Sequence, residues 1–129
     1  MKSISISTGS RSELLDITGE VQGAVDREGK KSGIIFLFVP HTTAGLTINE
    51  NADPSVKRDI IGKMGSLVPE DAGYAHSEGN SDSHIKTSMF GSELFVFIED
   101  GRLALGTWQG IYFCEFDGPR KRQLYYKIV

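Results

Sequence analysis

The sequence predicts a single α+β domain in which antiparallel strands form a β-sandwich or jelly roll and two short helices pack against it. Three features carry this expectation. Short strand-like runs follow one another at close spacing with turn residues between them, Asp100-Gly101 divides two apolar runs as a hairpin turn does, and only two segments show helical spacing. A chain of 129 residues suits one domain that buries its own core, and residues 1–129 contain no repeat or low-complexity linker to suggest a second.

The elements follow in order. Lys2 to Thr8 alternates, with Ile4 and Ile6 on one face and serines on the other, as a half-buried strand does. Ile17, Val21, Ala24 and Val25 then take helical spacing, with Asp16 or Thr18 to cap the start and Gly29 to stop the helix. Gly33 to Val39 is continuously apolar and reads as a strand buried on both faces, ended by Pro40. The stretch from His41 to Glu50 alternates, so Ala44, Leu46 and Ile48 share one face while Thr43, Thr47 and Asn49 share the other. Asp53-Pro54 is an N-cap followed by proline at the first helical position, and Val56, Ile60, Ile61 and Met64 supply the apolar stripe of a second helix. Pro69 to Asp82 reads as a long loop, of the kind that is usually functional or mobile. Strands are expected over Ser83 to Phe90, Leu94 to Glu99, Arg102 to Leu105, Ile111 to Asp117 and Gln123 to Val129.

Composition excludes several functions. Apolar residues at 39% and charged residues at 24% are ordinary for a globular protein and argue against disorder. A net charge of −3 argues against a general nucleic-acid partner, which needs a basic surface to displace counterions. No apolar run reaches membrane-spanning length and the N-terminal residues lack the apolar core of a secretory signal, so no membrane partner and a cytoplasmic location are expected. The one cysteine, Cys114, forms no internal disulfide, in keeping with a reducing compartment. Arg120-Lys121-Arg122 reads first as a solvated strand end and second as an anchor for one phosphate.

The polar chemistry gathers near the three histidines. If Ser83 to Phe90 is extended, His84, Lys86 and Ser88 share a face, either meeting water or forming a pocket floor with a base, a cation and a hydroxyl. The His41 segment favours the pocket, adding His41, Thr43 and Asn49, with Glu50 at its end. Neutral imidazole and carboxylate suit zinc or another divalent ion, but the spacings of 35 and eight positions between successive histidines contain no short ligand pair. No serine sits in a G-x-S-x-G turn, and Cys114 alternates with Tyr112 and Phe116 in a packed strand, so neither nucleophile is expected. Trp108 reads first as a packing residue; beside Gln109 it also suits stacking on a planar heterocycle. Asp117-Gly118-Pro119 reads as a turn.

Four stretches together identify a resemblance. His41 through Glu50, His84-Ile85-Lys86-Thr87-Ser88, Asp100-Gly101-Arg102-Leu103 with Leu105 through Gln109, and Glu115 through Arg120 resemble the motifs of the YjbQ family in order and spacing across essentially the whole chain. Thr87 and Phe90 depart from the smaller or aliphatic residues expected there, without touching the polar positions. The resemblance implies a β-rich α+β fold, assembly as a homotrimer with a polar pocket at subunit boundaries, and a secondary thiamine-phosphate synthase activity that joins a pyrimidine pyrophosphate to a thiazole phosphate. His41, Asn49, Asn80, His84, Lys86, Thr107, Trp108, Gln109 and Arg120 match family motif positions, and His76 lies in a loop of variable length.

The first functional expectation is therefore an enzyme acting on a phosphorylated or pyrophosphorylated heterocycle, with no organic cofactor. Lys86, Arg120 and a divalent ion, zinc or magnesium, would stabilise the departing pyrophosphate, with Thr42, Thr43 and Ser88 as hydrogen-bond donors. Trp108, Gln109, Thr107 and Asn80 would bind substrate, and His41, His84, Asn49 and Glu50 would stand beside Lys86 in the chemistry. The second is a metal-dependent hydrolase or lyase in which His41, His76 and His84 hold a zinc-like ion. The third is a module that binds an anionic metabolite without turnover.

Overall fold

The computed structural model describes residues 1–129 as eight strands and three helices. Strand β1 (Lys2–Ser7) is followed by β2 (Glu13–Asp16), α1 (Thr18–Glu28), β3 (Ser32–Phe38), β4 (Ala44–Glu50) and α2 (Pro54–Leu67). Helix α3 (Ser81–Phe90), β5 (Glu93–Glu99), β6 (Arg102–Leu103), β7 (Gln109–Glu115) and β8 (Lys121–Ile128) complete the chain. A five-stranded sheet in the order β1-β8-β3-β5-β6 faces a three-stranded sheet in the order β2-β7-β4, and every pairing is antiparallel. The α+β sandwich expected from the sequence is thus the fold.

The core lies between the sheets. Ile4 and Ile6 of β1, Ile35 and Leu37 of β3, Ala44 and Leu46 of β4, Ile111 and Phe113 of β7 and Leu124 of β8 meet there, with Val21, Ala24 and Val25 of α1 closing one side. A smaller cluster of Leu14, Tyr112, Cys114 and Phe116 occupies the other face of the three-stranded sheet, under Ile60 and Ile61 of α2 and Phe90. Glycine is required where α3 ends on β4, because a Cβ at Gly45 would sit 2.5 Å from the Gly91 carbonyl oxygen. The Asp100-Gly101 turn is made as expected: both residues have positive φ, 51° and 75°, the geometry that suits a tight hairpin.

Three expectations change. Ser83 to Phe90 is not a strand but most of α3, so the helices number three rather than two. Strand β3 is buried on one face only; Phe36 and Phe38 are 46% and 48% exposed, and Phe95 and Phe97 of β5 extend the same bare aromatic surface. Strand β2 had no counterpart in the sequence reading, since four residues give too short a pattern to read.

Candidate functional site

At one end of the sandwich the inward-facing positions stop being apolar. Strand β1 continues Ile4, Ile6 with Thr8; β7 continues Ile111, Phe113 with Glu115; and β8 carries Arg122 in line with Leu124 and Tyr126. All three polar residues are buried, with Glu115 fully so and Arg122 5% exposed. Glu115 accepts from Thr8 Oγ1 at 2.7 Å, from Arg122 Nε at 2.9 Å and from the backbone N–H groups of Phe116 and Asp117, both at 3.1 Å. Arg122 also donates to Thr43 Oγ1 at 2.8 Å. Burial opposes the ionised form of Glu115, but the hydrogen bonds from Arg122, Thr8 and the Asp117 backbone outweigh it and hold the carboxyl below its usual range. This network fixes the turn from Asp117 to Arg120, where Gly118 has no room for a Cβ, which would lie 2.4 Å from the Ser10 carbonyl oxygen.

A polar cavity of about 360 Å3 opens beyond this plug, lined by His41, Thr42, Thr43, Glu78, Asn80, His84, Asp117, Arg120 and Arg122. His41 and His84, 43 positions apart in sequence, both line it, and Pro40 is the one apolar ring among the lining residues. Arg120, half exposed, donates through Nε to the Asp117 carbonyl at 2.7 Å and through Nη2 to the Asp117 carboxylate at 3.1 Å. Asn80 Nδ2 donates to the same carboxylate at 2.9 Å, which fixes the amide orientation and leaves Asn80 Oδ1 buried without a partner. His41, Thr42 and His84 also line a second cavity with Thr87, Ser88, Ser92 and Glu93. His84 further borders a third with Tyr74, Ala75 and His76, where the His76 and His84 rings meet edge to face at 5.6 Å.

Lys86 does not join them. The change from strand to helix turns it inward, where it is 4% exposed and its Nζ donates to Asp82 at 3.1 Å. Asp82, one helical turn earlier and fully buried, also receives a two-pronged contact from Arg11 at 3.1 and 3.2 Å. Burial works against its charge, yet these partners hold its carboxyl below the ordinary range. Lys86 therefore anchors α3 rather than facing a substrate. Ser88 stays at the second cavity, its hydroxyl donating to the His84 carbonyl at 3.0 Å.

Asn49, Glu50, Thr107, Trp108 and Gln109 lie elsewhere. In the β4–β7 ladder Ala44 pairs with Glu115 at the cavity end, while Glu50 pairs with Gln109 at the far end, about 20 Å away at ~3.3 Å per residue. There Asn49 accepts from the Glu50 N–H, Gln109 from the Gly106 N–H, and Trp108 is 63% exposed. The single chain does not bring this group to the histidines.

A three-histidine metal site does not assemble either. His76 approaches His84 but not His41, His41 has its Nε2 engaged by the Gln123 N–H at 3.0 Å, and no cluster of three or more potential ligands converges. Cys114 is buried, and burial pushes its thiol up, as expected of an inert packing residue. The residues without a role in the sequence reading are Glu115, Asp82, Arg11 and Asp117, and Arg122, expected at a solvated strand end, is instead buried on Glu115. For Glu115 and Arg122 a signal existed, a charge in register with core-facing apolar positions.

Comparison with known proteins places these features in context. The family model described as "UPF0047 protein YjbQ-like" matches residues 2–129. A UPF0047 protein of Methanocaldococcus jannaschii is 54% identical over 124 residues, covering 96% of this chain and 90% of that protein, and YugU of Bacillus subtilis is 49% identical over 130 residues, covering 100% and 98%. Among solved structures, a YjbQ/UPF0047 family protein from Clostridium acetobutylicum superposes with a TM-score of 0.96 at 50% identity, covering 100% of both chains. A Thermus thermophilus protein superposes with a TM-score of 0.94 at 38% identity, again over 100% of both chains.

Proposed function

The chain belongs to the YjbQ-like UPF0047 family, and within it we propose that the protein is an enzyme acting on a phosphorylated or pyrophosphorylated heterocycle, of the thiamine-phosphate synthase kind. The observation that supports this reading most is the convergence of His41, His84 and Arg120 with Thr42 on one predominantly polar cavity. When a pyrophosphate leaves, its bond to the pyrimidine-bearing carbon breaks with the electron pair going to oxygen, as the bond to the thiazole forms. The group must then accommodate growing negative charge. Arg120 is the exposed cation of the cavity and takes the charge-stabilising role expected earlier of Lys86, whose ammonium is committed to Asp82. Thr42 supplies a hydroxyl donor, and His84 is placed to exchange a proton. A zinc ion on the three histidines does not fit this arrangement, so no step runs through one.

Assembly as a homotrimer in a cytoplasmic setting is part of the same proposal. What supports assembly is the bare aromatic face of Phe36, Phe38, Phe95 and Phe97; no helix is long and apolar enough to cross a membrane. Light scattering on purified protein reads the oligomer directly.

The activity is tested by following thiamine phosphate formation with the unaltered protein and with Arg120→Ala and His84→Ala. Removing a group that stabilises developing charge is expected to slow turnover by about 100-fold or more. Equal rates in all three would remove the cavity from the chemistry, and tight pyrophosphate binding with no turnover would mark a metabolite-binding module instead.

A further inference from the structure

His41 follows Pro40, where β3 has already ended. The β3–β8 ladder stops at the Phe38–Tyr125 pair, while β8 continues through Gln123 and Arg122 to Lys121. The Gln123 N–H therefore lies beyond the reach of β3, and His41 Nε2 accepts it at 3.0 Å, capping the strand with a side chain. An imidazole nitrogen accepts only through its bare lone pair. In the neutral ring the proton must then sit on Nδ1. Nδ1 has no partner within the chain and is not closed off from solvent, and His41 lines both polar cavities that meet at His84.

Protonating Nε2 would set its N–H against that of Gln123. Burial, and after it the Arg122 charge, also disfavour the imidazolium, with the Glu115 charge acting in the opposite direction.

From this geometry we infer that His41 is locked as the Nδ1–H tautomer and presents a neutral hydrogen-bond donor to an anionic oxygen of the ligand, acting neither as the base of the site nor as a metal ligand through Nε2. The inference deepens the proposed function and rests on it for the identity of the anion as a phosphoryl oxygen. His84 makes no side-chain hydrogen bond within the chain, which leaves proton exchange to that ring. The two histidines, alike in the sequence, are thereby given different work: one donor of fixed polarity, one free acid–base group.

The tautomer is readable without any turnover. Two-bond proton–nitrogen NMR correlations on uniformly 15N-labelled protein at neutral pH distinguish the protonated from the bare ring nitrogen of His41. The expected result is a protonated Nδ1 and bare Nε2, with the Nδ1 resonance moving when inorganic pyrophosphate is added and no His41 shift when Zn2+ is added alone. A protonated Nε2, or a His41 shift with Zn2+ alone, overturns the tautomer; an Nδ1 that ignores pyrophosphate overturns the donor role.

Two variants separate positioning from structure. His41→Gln keeps an acceptor at the distance of Nε2 and loses the Nδ1 donor, so pyrophosphate affinity should fall about tenfold or more while the unfolding midpoint changes little. His41→Asn places an N–H near the Nδ1 position and loses the strand cap, so the midpoint should fall while more of the affinity survives. The reverse pattern overturns the assignment. If Nδ1 responds to pyrophosphate but no thiamine phosphate forms, the proposed activity fails and the donor stands.

Discussion

Glu115→Gln tests how far the cavity depends on the buried network behind it. The substitution keeps shape and removes one charge, so it isolates electrostatics from packing. In the folded protein both carboxylate oxygens receive hydrogen bonds, from Thr8 and Arg122 on one side and from Arg122, Phe116 N and Asp117 N on the other. Whichever oxygen becomes an amide NH2, a donor then faces donors. Arg122, 5% exposed, keeps one neutral amide oxygen and Thr43 as acceptors but loses its counter-charge. Breaking a buried ion pair from one side costs about 3–5 kcal/mol, against a typical domain stability of ~5–15 kcal/mol. A domain of this size loses roughly 3–5 °C of melting temperature per kcal/mol, so a fall of about 10–20 °C is expected by calorimetry and a matching fall in urea midpoint. Glu115→Met with Arg122→Met should recover most of the loss, because no buried charge is then left alone. A single-variant cost below ~1 kcal/mol, or a double variant no better than the single one, would refute the reasoning.

Three further outcomes follow from the same structure. Lys86→Met should destabilise by about 1–3 kcal/mol in chemical denaturation, less than a fully stranded charge costs because Arg11 still holds Asp82; an unchanged midpoint would show that the Lys86–Asp82 pair is not formed. Asp82 and Glu115 have carboxyl pKa values depressed by their partners, so the stability they confer is present above the ordinary carboxylate range, near pH 4, and is lost as the pH falls through the folded values; urea midpoints measured from pH 6 down to pH 2 should show that decline, and a flat profile would contradict it. Cys114 should fail to react with a thiol-specific reagent in the native protein and react fully in guanidinium, whereas rapid native labelling would contradict its burial.

Most of the strand layout was readable because apolar alternation reports burial directly: Ile4 with Ile6, Ala44 with Leu46, and Ile111 with Phe113 all face the core. Helix α3 was misread for a physical reason. Its buried positions are Asp82, Ser83, Lys86 and Thr87, a helical spacing written in polar residues, so a search for apolar periodicity finds nothing and sees only period-two alternation. The inward packing of those side chains depends on Arg11, 71 positions from Asp82, and on the Phe116 carbonyl that Ser83 Oγ bonds, neither of which local spacing reveals. Strand β3 failed in the opposite sense. Ile34, Phe36 and Phe38 are apolar on a face that this chain leaves open, and sequence cannot separate a face buried within a chain from one left bare. His41 and His84 were legible as candidates from residue type, but their meeting required the α3 helix and the turn after β7 to be placed by long-range contacts.

Those contacts explain why the cavity holds a definite shape although loops supply much of its wall. One side is α3, fixed from within by Asp82 with Arg11 and Lys86. The other is the Asp117–Arg120 turn, fixed from within by Glu115 with Thr8 and Arg122. Two direct links join the sides: Asn80 to the Asp117 carboxylate and Ser83 to the Phe116 carbonyl. The buried carboxylates Asp82 and Glu115 are costly alone and each takes a partner from a different element, Arg11 for Asp82 and Arg122 with Thr8 for Glu115, so neither wall can move without exposing or stranding a charge. The same arrangement spends the chain's buried cations on structure, which is why Arg120, at the exposed end of the turn, is the cation left facing a ligand from a rigid mount.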